Sequence, residues 1–173
     1  ATTVGRWQDK SGMDHNFSQL TADYRPLISH NQANGLSMID FDGVDKSLKI
    51  ESVLGLDSDP NILVFLVSQI DANNSTNDQI YSLGDPGAAY LLTGNAGSDG
   101  WSWGTGVDFV TFDEVPTLPG LQVWERSSGD SYSDSKFYLN GEEQVTTSTL
   151  AGFQKNNSQE MEIGSATFDG KIG

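Results

Sequence analysis

The 173-residue sequence predicts an all-β fold, a two-sheet antiparallel sandwich of the jelly-roll kind. Three observations predict it. Short apolar or alternating runs recur along the chain, clusters of Gly, Pro, Asn, Asp and Ser separate them, and no long segment holds a helical period. The 19 glycines suit a fold rich in tight turns. No repeat, linker or low-complexity tract divides the chain, so residues 1–173 read as one domain.

Taken in order, Ser37–Asp42 and Ser47–Glu51 read as a pair of strands around the turn Gly43-Val44-Asp45. Asn61–Gln69 (NILVFLVSQ) is a nearly continuous apolar run, the pattern of a strand buried on both faces. Gln79–Leu83, Ala88–Thr93, Val107–Phe112, Leu121–Arg126, Lys136–Leu139, Glu143–Thr147 and Glu160–Gly164 follow as strands. Asn140-Gly141 favours two positive φ angles and so a tight hairpin. Ser52–Leu56 could form one helical turn. About ten strands at this spacing fit a sandwich or jelly roll better than an α/β fold. Strand alternation places Trp7, Phe41, Ile62, Val64, Leu66, Val123, Phe137, Leu139 and Ile163 in the core, with Trp124 as a further core filler.

Nine Lys and Arg stand against 24 Asp and Glu, a net charge of −15. That balance opposes nucleic acid and anionic membrane surfaces, which would repel the chain. Three readings of the acidity compete: a solvated surface, adaptation to saline surroundings, and cation binding. The absence of Cys removes disulfides, thiolate metal sites and Cys nucleophiles together. The longest apolar run, Ile62–Val67, is strand-sized and far short of the ~20 residues a spanning helix needs, so no membrane insertion is expected.

Several motifs are familiar. Trp7-Gln8-Asp9-Lys10-Ser11-Gly12 resembles the W-x-D-x-S-G opening of bacterial laminin-G-like, or concanavalin A-like, jelly-roll domains. Arg25-Pro26, Asn34-Gly35, Phe41-Asp42-Gly43-Val44-Asp45, Trp124, Tyr138-Leu139-Asn140-Gly141, Ile163-Gly164 and Phe168-Asp169-Gly170-Lys171-Ile172-Gly173 follow in the family's order. The resemblance spans Trp7 to Gly173. It implies a domain of a larger protein that lacks its last strand here, located outside the cell: secreted, on a cell surface or on a virion. Related domains often carry a calcium ion at the sandwich rim. The motifs themselves have structural rationales, because Asp and Asn side chains cap turns and the following glycines accept positive φ.

Chemistry is harder to find. A retaining glycosidase needs two carboxyl groups about 5–5.5 Å apart; Glu160 and Glu162 are the nearest pair, and their strand alternation sends them toward solvent. His15 and His30 fall in polar surroundings with no acid or nucleophile in sequence support. The expectation is that the chain is not an enzyme.

Binding has better candidates. Asn95–Gly106 puts Trp101 and Trp103 beside Asp99 on a Gly-rich loop, where two indoles could stack on sugar rings or plug the loop to the core. Calcium wants six to eight oxygen ligands, and Asp57, Asp59, Asp130 and Asp134 lie in acidic loops without EF-hand spacing. The sequence therefore points to a non-catalytic adhesion module that recognises glycan through loops. The alternative is a structural domain of an extracellular assembly, such as a virion fibre, decoration protein or surface filament, that packs against other proteins.

Overall fold

The computed structural model describes residues 1–52, 61–70, 78–83, 90–94, 101–104, 109–112, 119–127, 134–149, 161–164 and 169–173. Among these, sixteen strands form two sheets, and a single 3₁₀ turn spans Ala22–Tyr24. The strands are β1 (Arg6–Trp7), β2 (Phe17–Ser18), β3 (Leu27–Ala33), β4 (Leu36–Asp42), β5 (Leu48–Ile50) and β6 (Ile62–Ile70). Then come β7 (Asp78–Leu83), β8 (Tyr90–Gly94), β9 (Trp101–Gly104), β10 (Phe109–Phe112) and β11 (Gly120–Arg126). The last are β12 (Lys136–Leu139), β13 (Glu142–Glu143), β14 (Thr146–Thr149), β15 (Met161–Ile163) and β16 (Asp169–Ile172).

One sheet has the order β1-β2-β5-β15-β7-β8-β9-β10-β14 and the other β13-β12-β11-β6-β16-β4-β3. Neighbours run antiparallel, as the sequence predicts. An apolar cluster joins the two sheets. Leu48, Ile50, Ile80 and Met161 come from the first, and Phe41, Ile62, Ile70, Trp124, Phe137 and Ile172 from the second. The protein is an antiparallel β-sandwich. No helix among the described residues is long and apolar enough to cross a membrane.

Local chemistry accounts for the turns. Asn140 (φ 53°) and Gly141 (φ 88°) both take positive φ and join β12 to β13, with Leu139 opposite Glu142. That is the geometry a two-residue hairpin demands. Asn34 (φ 49°) and Gly35 (φ 79°) close β3 onto β4 in the same way.

The Phe41–Lys46 segment corrects one expectation. β4 and β5 are not paired; they belong to different sheets, so this turn is a crossover between layers. The Asp42 carboxylate accepts from the backbone N–H groups of Val44, Asp45 and Lys46 at 3.1, 3.2 and 3.3 Å. Partial burial opposes its ionisation, but these donors and nearby Lys46 outweigh it and hold the carboxyl below its ordinary range. Three donors wrapped on one carboxylate curl the chain away from its own strand. The expected strand Glu143–Thr147 divides similarly, β13 in one sheet and β14 in the other.

Other corrections concern burial. Phe41, Ile62 and Phe137 are buried as expected, whereas Trp7, Val64, Leu66, Leu139 and Ile163 are partly buried against the core. Val123 sits on the outer face of its sheet, opposite exposed Phe65, because alternation lets only one of Val123 and Trp124 point inward. β6 is a strand as expected but is not buried on both faces, since Leu63 and Phe65 are exposed. Ser52–Leu56, apart from Ser52, lies outside the described residues.

Candidate functional site

The nine-stranded sheet begins with the two-residue strands β1 and β2, where Trp7 pairs with Phe17 and Arg6 with Ser18. Direct cross-strand partners share a face, so Trp7 and Phe17 lie on the same face of this sheet. The segment between them, residues 8–16, folds back as a polar loop around Asp9. One Asp9 oxygen accepts from the Ser11 N–H at 2.7 Å; the other accepts from the Ser11 hydroxyl at 2.6 Å and the His15 N–H at 3.0 Å. The Asp9 N–H in turn donates to Asn16 Oδ1 at 3.0 Å, and the Ser11 hydroxyl accepts from the Met13 N–H at 3.2 Å. Gly12 at φ 85° supplies the backbone reversal.

These bonds, the Ser11 hydroxyl first and then the N–H groups of Ser11 and His15, lower the Asp9 pKa from 3.8 to about 2. A carboxyl held there stays ionised at neutral pH and has no proton to give as a general acid. Its role is to fix the loop.

The loop walls a cleft of about 340 Å³ lined by Trp7, Gln8, Asp9, Ser11, His15, Phe17 and Ile163. Its floor is apolar, from Trp7, Phe17 and Ile163, all of which pack against the core. Its rim is polar. The volume falls at the lower end of the ~300–1,000 Å³ of small-ligand sites. Nearby, the Glu162 carboxylate lies 3.7 Å from Lys49 Nζ on the paired strand, an ion pair. Glu160 lies outside the described residues.

The residues singled out from sequence fall elsewhere. Trp101 and Trp103 are not on a loop: they belong to β9, paired on one side with β8 and on the other with β10. Aromatic residues favour strands, and this local preference prevails over the flanking glycines. Asp99, Asp57, Asp59 and Asp130 lie outside the described residues; Asp134 is described and exposed. Among the described residues no three His, Asp or Glu side chains come together as a cation site. His30 is exposed on edge strand β3, its Nδ1 2.8 Å from the Ser37 hydroxyl, while His15 is half-buried in the cleft. Trp7, read as a core filler, is half-buried: it packs against the core and also forms part of the cleft floor. Phe17 carries no motif of its own; the signal that could have found it is the W-x-D-x-S-G turn, which returns the chain to pair Phe17 with Trp7.

No family model matches this chain, and no curated protein matches it. Among solved structures it is similar to domain 4 of AbnA, a GH43 extracellular arabinanase from Geobacillus stearothermophilus, in complex with arabinotriose. The two share 15% identity at a TM-score of 0.58, over 84% of this chain and 71% of the other. That likeness places the chain among β-sandwiches and does not distinguish one sandwich family from another.

Proposed function

We propose that this chain is a non-catalytic glycan-binding module of an extracellular protein, of the laminin-G-like or concanavalin A-like kind, and that the cleft beside Trp7 and Phe17 is its site. One observation carries the reading: two adjacent aromatic side chains form an apolar floor under a rim of hydrogen-bonding groups. A sugar ring has the matching chemistry, an apolar C–H face that meets an aromatic ring and hydroxyls around its edge. The His15 ring and the Gln8 side chain are positioned to meet those hydroxyls. The arabinotriose held by the arabinanase domain supports the ligand class. Trp101 and Trp103, with Asp99, are a second proposed contact surface, and calcium at Asp57, Asp59, Asp130 and Asp134 is a further proposal.

The test is a glycan array that includes arabinotriose, run with and without calcium, followed by titration of the hits. Trp7→Ala should weaken binding at least tenfold, about 1.4 kcal/mol. His15→Ala should weaken it with the melting temperature little changed. Hits indifferent to both substitutions would move the site away from the cleft. An array empty under both conditions would refute glycan binding.

A second reading has its own observation. The outer face of the seven-stranded sheet exposes Phe65, Leu63 and Leu121, 66%, 58% and 42% accessible. Grouped apolar exposure of this kind marks protein contacts, which favours a packing role in an assembly. Light scattering that shows a concentration-independent monomer would weigh against self-assembly through that face.

A further inference from the structure

Charge is distributed unevenly about the cleft. β1, β2, β5 and β15 are neighbours in the nine-stranded sheet, and their registers align Arg6, Ser18, Lys49 and Glu162 in one cross-strand row. Successive residues of a strand point to opposite faces. The row therefore lies on the face opposite Trp7, Phe17 and Ile163, which floor the cleft. Both cations in the row are engaged there, Arg6 with Asp14 at 3.2 Å and Lys49 with Glu162 at 3.7 Å. Alternation thus directs the cations of these strands away from the cleft.

The lining itself contains no Lys or Arg among the described residues, and its one carboxylate is Asp9. Asp9 accepts from the Ser11 hydroxyl and from the N–H groups of Ser11 and His15. These donors stabilise its negative charge without cancelling it. The Ser11 hydroxyl donates to Asp9 and accepts from the Met13 N–H, so its proton is already engaged. Gln8 and His15 remain to meet the polar edge of a ligand.

Lys10, the next cation along the chain, is exposed and donates to Gln8 Oε1 at 2.9 Å. An ammonium can only donate, so the carboxamide turns its oxygen to Lys10 and keeps its N–H groups for a ligand oxygen. Water screens an exposed ammonium, which leaves it a weak partner for a ligand anion. The chain's net charge of −15 adds a repulsive field at longer range.

An anionic sugar would have to give up hydration over an apolar floor, beside ionised Asp9 and with no guanidinium or ammonium in the lining to receive it. A hydroxyl-bearing sugar meets no such cost. Building on the glycan reading of this cleft, we propose that its ligand is a neutral sugar and that the cleft rejects sugars bearing a carboxylate or sulfate.

The experiment uses the 173-residue chain on an array of neutral, uronic and sulfated glycans, followed by titration of matched pairs. Methyl galactoside and methyl galacturonide differ only at C6, as do methyl glucoside and methyl glucuronide. The neutral member of a pair should bind at least tenfold more tightly, and Trp7→Ala should weaken that binding at least tenfold. Gln8→Lys replaces an exposed side chain and brings an ammonium into the lining, so it should reduce the neutral preference at least threefold. A uronide that binds as tightly as its neutral twin, with Trp7→Ala weakening both, would overturn charge selection and leave the glycan site standing. An unaltered preference in Gln8→Lys would also overturn it. No binding by any glycan, or binding indifferent to Trp7→Ala, would instead remove the glycan reading of the cleft, and this proposal with it.

Discussion

Along the inner face of the seven-stranded sheet, Val64, Trp124 and Phe137 form one cross-strand row; one residue further on, Phe65, Val123 and Tyr138 form the next row on the outer face. The two rows are similarly apolar and face opposite environments. Trp124 and Phe137 are fully buried and stacked, with ring centroids 4.1 Å apart at 21°. Phe65 is two-thirds exposed. Hydrophobicity alone therefore does not determine the inward face of this strand. The partner sheet does, by covering one row and leaving the other to a surface contact.

The largest expected effect is on the covered row. Trp124→Ala removes the stack on Phe137 and the bond from the indole N–H to Gln122 Oε1 at 3.5 Å, and it opens a cavity between the sheets. Chemical denaturation should register a loss of about 3–5 kcal/mol. A loss under about 1 kcal/mol would mean that this row is not the core.

What the sequence made legible follows from the same contrast. Strands bounded by strong turn chemistry were readable, as at Asn140-Gly141, because a two-residue hairpin leaves little choice of conformation. β3 gives no strand signal because it is an edge strand whose central residues, Ser29, His30, Asn31 and Gln32, are all polar, so it shows no apolar alternation. β1 and β2, at two residues each, are too short to have a period. Two of the three floor residues of the cleft, Trp7 and Phe17, come from these weak signals, so Trp7 reads as core and Phe17 gives no sequence signal. Sheet membership was also hidden: nothing local to Phe41–Lys46 says whether the turn closes a hairpin or crosses between layers.

A middle-sized effect separates the loop at Asp9 from the packed rows, since charge rather than burial fixes that loop. The folded pKa of Asp9, about 2, is below its ordinary 3.8. The ionised form is therefore favoured in the folded state. Its contribution to stability is complete above roughly pH 4 and fades as pH falls through about 2. Asp9→Asn should lower the melting temperature at about pH 6, and the gap to the unaltered protein should close on acidification across that window. A gap independent of pH would show that the Asp9 charge does not hold the loop.

The smallest effect is expected on the outer row, and it decides whether that face is covered in the isolated chain. Phe65→Ser removes a large apolar side chain from a central strand, a change that in a core would cost several kcal/mol. Here two-thirds of the residue already meets water, and its cross-strand neighbour Val123 is only half-buried. What is lost is one surface pair across β6 and β11, worth about 0.2–1 kcal/mol. Denaturation should therefore find Phe65→Ser within about 1 kcal/mol of the unaltered chain, while binding of an apolar dye to the native protein falls. A loss above about 2 kcal/mol would place a covering layer over Phe65, and the two rows would then be two cores instead of a core and a surface.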